Sequence, residues 1–278
     1  MVLLGGPALR RCLDSLPATL SEVVVVGPPR LLGPAPAAGA AQVQQIACEA
    51  PVPRRRAVGV AATSSEWVVV VEDTCVLAGD WAAALATLAA AEPTLAAVGG
   101  PVELSGSLGS RGIAFGCVEY GEYADTRLPD GSSVRRLHGL CTLYRRAALP
   151  RPAQLLIDTE VQAGLLANGH RLEFRHGFAT RLSSLDDRMA TCGSRRIHGQ
   201  IYGGLLRARL GHGARLAAAA KCLLLPVVLA WRAGRGIPAR SRHRLSVWSA
   251  ILALTTGWAC GELLGLLFGS RDALEEWQ

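Results

Sequence analysis

The chain has 278 residues, a net charge of +7, 50% hydrophobic residues and a mean hydropathy of +0.27. That length supports a full core and excludes a miniature held together by disulfides, while the apolar excess of Ala, Leu and Val points to membrane contact. Lys221 is the only lysine, so the positive charge is arginine; it suits phosphate or acidic headgroups. The chain lacks a basic helix with interleaved aromatics and zinc-finger spacing, which argues against nucleic acid.

Met1 to Pro7 has no basic region and too short an apolar run for a signal peptide, so the globular part is expected in the cytoplasm. Leu9, Leu13 and Leu16 share one helical face that Pro17 closes. Val23 to Val26, ended by Gly27-Pro28-Pro29, predicts a buried strand; Arg30 to Ala41 reads as a loop, and Gln42 to Ala47 as a short strand. Arg54-Arg55-Arg56 precedes a helix over Ala57 to Ala62 that leads to the next strand.

That strand, Val68 to Val71, ends abruptly in Glu72-Asp73. A continuous apolar run is the pattern of a strand covered on both faces, and in open α/β sheets ligands bind beyond the carboxyl ends of the strands. On the residues alone, Glu72-Asp73 is as readily a solvated turn. A helix over Trp81 to Ala91 and a strand over Leu95 to Val98 follow, then an irregular excursion from Val102 to Arg136. His138 to Tyr144 reads as a strand, Asp158 to Asn168 as a helix ended by Gly169, and Leu172 to Phe174 as a further strand. Alternating strands and helices define an α/β layered domain over residues 1–194. The eight cysteines contain no C-x-x-C pair and read as reduced core residues.

Residues 195–278 form a C-terminal hydrophobic helical region. Leu216 to Trp231 is of marginal length for a bilayer span, whereas Val247 to Phe268 is long enough. Arg232, Arg235, Arg240, Arg242, His243 and Arg244 lie between these segments, and Arg195, Arg196, Arg207, Arg209 and Arg215 precede them. One spanning helix cannot leave both basic flanks on the same side, so the first apolar segment is expected to lie in the interface or re-enter. Two buried helices of a soluble domain are the alternative.

Taken in order, Leu9 to Leu16, Val23 to Val26, Arg56 to Trp67 with the acidic tip, Gly139 to Leu149, Ile157 to Val161 and Leu165 to Arg171 resemble family-2 glycosyltransferases of a membrane-associated bacterial type. The resemblance covers about residues 8 to 182. It implies a Rossmann-like GT-A domain that moves a sugar, with inversion, from a nucleotide-diphosphate donor to a lipid-linked or polysaccharide acceptor of the cell envelope. By the same resemblance, Glu72 and Asp73 contact the nucleotide sugar and a Mg²⁺ or Mn²⁺ ion, Arg56 binds the donor, and Asp158 is the general base.

The chain departs from the pattern at Thr74, where the family has an acid, at Ala57 and at Ile157. The first strand, expected before Leu9, looks truncated. On the residues alone, Asp158 and Glu160 equally supply acid to the first turn of a helix. A second function class therefore stays open: a catalytically inactive glycosyltransferase-like protein acting as a membrane-bound binding or scaffold partner.

Overall fold

The computed structural model describes residues 2–4, 8–32, 42–124, 128–150, 156–185, 190–237, 244–270 and 273. Residues 33–41 of the expected loop, and Arg240, Arg242 and His243 of the basic segment, lie outside them. The chain divides into two units, one of Met1–Ser105 with Tyr123–Ser184 and one of Gly106–Glu122 with Leu185–Gln278.

In the first unit the valine runs become the centre of a mixed sheet. Its strands are β1 (Val2–Leu4), β2 (Glu22–Gly27), β3 (Gln42–Ala47), β4 (Trp67–Val71), β6 (Leu95–Gly99), β8 (Ser132–Val134), β9 (Cys141–Arg145) and β10 (Arg171–Phe174), in the order β3-β2-β1-β4-β9-β6-β10-β8. The four strands from β3 to β4 are parallel, and β9 runs antiparallel between β4 and β6. Val23 to Val26 and Val68 to Val71 are buried, as continuous apolar strands covered on both faces must be. The short β5 (Cys75–Leu77), β7 (Val102–Leu104) and β11 (Thr180–Leu182) form a second sheet in the order β5-β11-β7.

The helices of this unit are α1 (Leu9–Asp14), α2 (Pro29–Leu32), α3 (Val52–Ala61), α4 (Trp81–Ala86) and α6 (Asp158–Ala167). Ala57 and Val60 of α3 and Val161 and Leu165 of α6 share a core cluster with Val68, Val70, Ala97, Tyr144 and Leu172 of the sheet. The two helices that carry candidate site residues are thereby fixed to the central strands.

Val2–Leu4 forms β1, which pairs on both sides, with Val2 opposite Val24 and Val70. Three expectations are corrected. Arg54 to Arg56 lie inside α3, since Pro51 and Pro53 start a helix well. Val102 to Arg136 contains β7, β8 and α5 (Ser110–Tyr120), whose Gly-rich sequence hides its helical period. His138 to Leu140 is a loop, and the strand begins at Cys141.

In the second unit, α5 is joined by α7 (Cys192–Arg209), α8 (His212–Cys222), α9 (Leu225–Gly234) and α10 (Arg244–Phe268). α7 and α10 meet backbone to backbone. A Cβ at Gly199 would stand 2.3 Å from the Trp258 carbonyl oxygen, one at Gly203 2.2 Å from that of Glu262, one at Gly261 2.0 Å from that of Arg196, and one at Gly265 2.2 Å from that of Gln200. Small residues four apart on each helix permit this approach, the packing seen where helices associate without much apolar side-chain volume. Arg195 of α7 is buried, paired with Glu119 of α5, and its guanidinium lies 4.5 Å from the Trp258 ring centroid.

α10 is long and apolar enough to cross a membrane, although half of its most apolar stretch is buried in the protein; α8 and α9 meet the same test only as a pair bent by 58°. Leu216, Leu223, Leu224, Val227 and Trp231 of this pair are exposed.

A Gly261→Leu substitution should separate α7 from α10 and cost about 3 kcal/mol or more, because the contacted atoms are backbone and cannot yield. Gly213→Ala on α8, where a Cβ meets nothing within 4 Å, should leave stability unchanged or slightly raised. Thermal unfolding in detergent compares the two; equal melting temperatures would refute the close packing.

Candidate functional site

Sheet topology points to one end of the first unit. From β1 the chain moves outward to β2 and β3, then returns to place β4 on the other side of β1, so the crevice beyond the carboxyl ends of β1 and β4 is the switch point where α/β sheets bind ligands. Asp73, just past β4, accepts a hydrogen bond from the Ala8 backbone N–H at 3.1 Å and ties the two sides together there.

Beside this crevice Arg56 is almost wholly buried, with its side chain 2% exposed. It reaches from the first half of α3 to two carboxylates: Nη2 donates to Glu72 Oε1 at 2.7 Å, and Nη1 donates to Asp158 Oδ2. Nη2 also donates to the Gly139 carbonyl at 3.2 Å. Asp158 is the first residue of α6, where a negative charge complements the helix dipole, so its reading as a first-turn acid holds. Its other oxygen, Oδ1, accepts from the Tyr144 hydroxyl at 2.7 Å, and Gln162, one turn further along α6, donates to that hydroxyl at 3.2 Å.

The loop before β9 completes the frame. The Leu140 carbonyl accepts from the Glu72 N–H at 2.9 Å. His138 Nδ1 accepts from the Cys141 N–H at 3.3 Å, leaving Nε2 to donate to the Gly100 carbonyl at 3.0 Å. Gly139 leaves room for the Asp158 carboxylate: a Cβ there would stand 2.8 Å from Asp158 Oδ2 and displace it.

The electrostatics follow from this burial. Desolvation pushes the Glu72 carboxyl above its ordinary value, the Arg56 charge opposes the rise, and Asp158 and Asp73 add to it. Burial and then the Asp158 charge raise the Tyr144 phenol well above its ordinary range, so it remains a donor. One guanidinium thus serves two acids, and Asp158 is oriented from both sides.

The structure brings Arg56, Glu72 and Asp158 together and leaves Asp73 on the adjoining crevice. The donors for a divalent cation are less complete. Among the described residues no three His, Cys, Asp or Glu side chains gather to hold an ion. Glu72 is occupied by a guanidinium, and the Thr74 hydroxyl is buried without a hydrogen-bond partner among the described residues. Glu72 and Asp73 are the carboxylates here that could hold a Mg²⁺ or Mn²⁺ ion, which is commonly bound by one or two protein carboxylates together with substrate phosphates.

Of known structures, the mannosyltransferase PcManGT from Pyrobaculum calidifontis, in complex with GDP-Man and Mn²⁺, is similar over 98% of this chain and 86% of that one, with a TM-score of 0.53 and 16% identity. The chain has the GT-A fold. S. aureus TarS 1-349, in complex with UDP-GlcNAc, aligns over 94% of this chain and 89% of that one at a TM-score of 0.45 and 12% identity. No family model and no curated protein matches the chain.

Tyr144, Gln162 and Gly139 were not singled out by the sequence. Gln162 carried a faint signal, a polar residue four after Asp158 and hence on the same helical face; Tyr144 had none, being one apolar strand position among several.

Arg56→Met leaves two buried carboxylates without their cation and should cost about 3 kcal/mol or more at pH 7. The pH dependence has a defined sign. Glu72 is pushed up in the folded state, so its ionisation opposes folding as pH rises from the ordinary carboxylate value through the folded one, and without Arg56 that opposition grows. Urea unfolding followed by tryptophan fluorescence should therefore show a smaller loss at pH 4 than at pH 7; equal losses would contradict the arrangement.

Proposed function

We propose that this protein is an inverting glycosyltransferase that moves a hexosyl unit from a nucleotide-diphosphate donor to a lipid-linked or cell-envelope polysaccharide acceptor. The observation that carries the reading is the Arg56 clamp, which holds Asp158 beside the switch-point crevice of a GT-A sheet. The GDP-Man bound to the similar mannosyltransferase supports a nucleotide-sugar donor.

In this reaction the acceptor hydroxyl attacks the anomeric carbon as its proton passes to Asp158. The bond to the nucleotide diphosphate breaks on the opposite face, and the diphosphate leaves with the electron pair. Arg56 and Tyr144 hold the carboxylate in one orientation, as a general base requires. Glu72 shares the same guanidinium and is the second acid at the donor side; Asp73 would meet the donor in the crevice. Glu72 and Asp73 would hold a divalent cation, which would offset the charge growing on the leaving diphosphate.

The second unit supports a membrane-bound protein. The exposed leucines and valines of α8 and α9 stand among Arg215, Lys221 and Arg232, and the Arg235 guanidinium lies 3.6 Å from the Trp231 ring centroid. A bent apolar pair with basic and tryptophan neighbours suits the headgroup boundary on the cytoplasmic side better than a full span. A catalytically silent scaffold is favoured by one observation, that both Asp158 oxygens already accept hydrogen bonds.

Asp158→Asn should reduce transfer at least about 100-fold while leaving the donor dissociation constant within about threefold, read by product assay and by calorimetry with a panel of nucleotide sugars. Unchanged turnover would remove Asp158 from the reaction, and no donor heat in the unaltered protein would leave the scaffold reading. In flotation with vesicles containing anionic lipid, the full chain should float. Leu224→Glu with Val227→Glu should cut the bound fraction at least about tenfold, since two exposed apolar side chains are replaced by charge.

A further inference from the structure

Arg55 stands next to Arg56 in the first half of α3, yet its circumstances are opposite. It is 7% exposed, its backbone N–H donates to the Pro51 carbonyl at 3.1 Å, and its guanidinium makes no hydrogen bond or ion pair with any described residue. The Nε atom is buried without a partner. A guanidinium carries five donors and stays charged, and such a group is seldom buried without an anion to satisfy it.

The charges around it locate the missing anion. α3 packs on β1, β2 and β4, with its first turn at the carboxyl ends of these parallel strands. Burial is the main influence on Arg55 and lowers its proton affinity. Asp73 beyond β4 and Cys48 beyond β3 act in the other direction, while Arg30 of α2 and Arg56 add positive charge. Arg56 is committed to Glu72 and Asp158, and Arg30 to Glu49 at 3.4 Å. Among the described residues, Arg55 is a cation with donors to spare on the Asp73 side of the site.

We infer that Arg55 is an anion ligand of this crevice and takes oxygens of a diphosphate group, adding positive charge beside the acids Glu72 and Asp73. Diphosphate matches a planar, multiply donating cation, which can engage two oxygens at once. The inference rests on the proposed use of a nucleotide-diphosphate donor, and it moves the phosphate contact from Arg56, where the family resemblance puts it, to the neighbouring arginine.

The test uses the full-length protein in detergent, titrated calorimetrically with inorganic pyrophosphate and separately with UDP, for the unaltered chain, R55M and R55K. Both probes should bind the unaltered protein. R55M should weaken both at least about tenfold, and R55K, which keeps the charge and loses the fork, should fall between. Without ligand, R55M should melt at the same temperature or higher, because it removes a buried cation that makes no hydrogen bond or ion pair with any described residue.

Equal affinity in R55M, or no binding of either probe by the unaltered protein up to about 10 mM, overturns the inference. So does weakened binding accompanied by a lowered melting temperature in both variants, which would make Arg55 a structural residue. Neither probe carries a sugar, so the outcome is separate from transfer: a protein that transfers no sugar yet loses pyrophosphate on R55M retains the anion site and loses the proposed reaction.

Discussion

One buried guanidinium organises the first unit's site. Arg56 ties α3 to the end of β4 through Glu72, to the start of α6 through Asp158, and to the loop before β9 through the Gly139 carbonyl. None of these segments is near another in sequence, and each would present an unpaired polar group without it. Burial pushes Glu72 upward and the Arg56 charge opposes the rise, while Asp158 also accepts from the Tyr144 hydroxyl. The same interaction thus holds the elements in register and brings the two carboxylates to one cation.

The central strands were legible because four valines in a row admit few alternatives, and β3 was found to the residue. The approach of Arg56 to Glu72 and Asp158 was legible only as three positions in a family order, without the contact that joins them. Residue types alone do not reveal that contact, because 102 residues separate Arg56 from Asp158 and a surface arginine run has the same composition as a buried one. α5 escaped notice for a related reason: its glycines and Ser110 weaken local propensity, and packing in the second unit decides its conformation. The distinction between Arg55 and Arg56 depends wholly on which side of α3 faces which strand end.

The second unit meets its constraint with main chain instead of side-chain charge. Where Gly199 and Gly203 of α7 pass Gly261 and Gly265 of α10, carbonyl oxygens occupy the space of side chains, and the helices are held at a distance that a single methyl would exceed. The outer surfaces of α8 and α9 are then free to be apolar, since they contribute nothing to that contact. Composition reported the apolar excess of this region, while the pattern of glycines explains how part of it is packed and part is left outward.

The antiparallel insertion of β9 has a consequence for the newborn chain. β3, β2, β1 and β4 are all made by residue 71, but the partner that covers β4 on its far side begins at Cys141. Until those later residues emerge, Trp67–Val71 is an unpaired, apolar sheet edge with strong β propensity, the kind of surface that captures strands from other chains. The strand that delivers acid to the site is therefore also the point at which synthesis is most exposed to misassembly, and closure of the sheet by β9 ends that hazard.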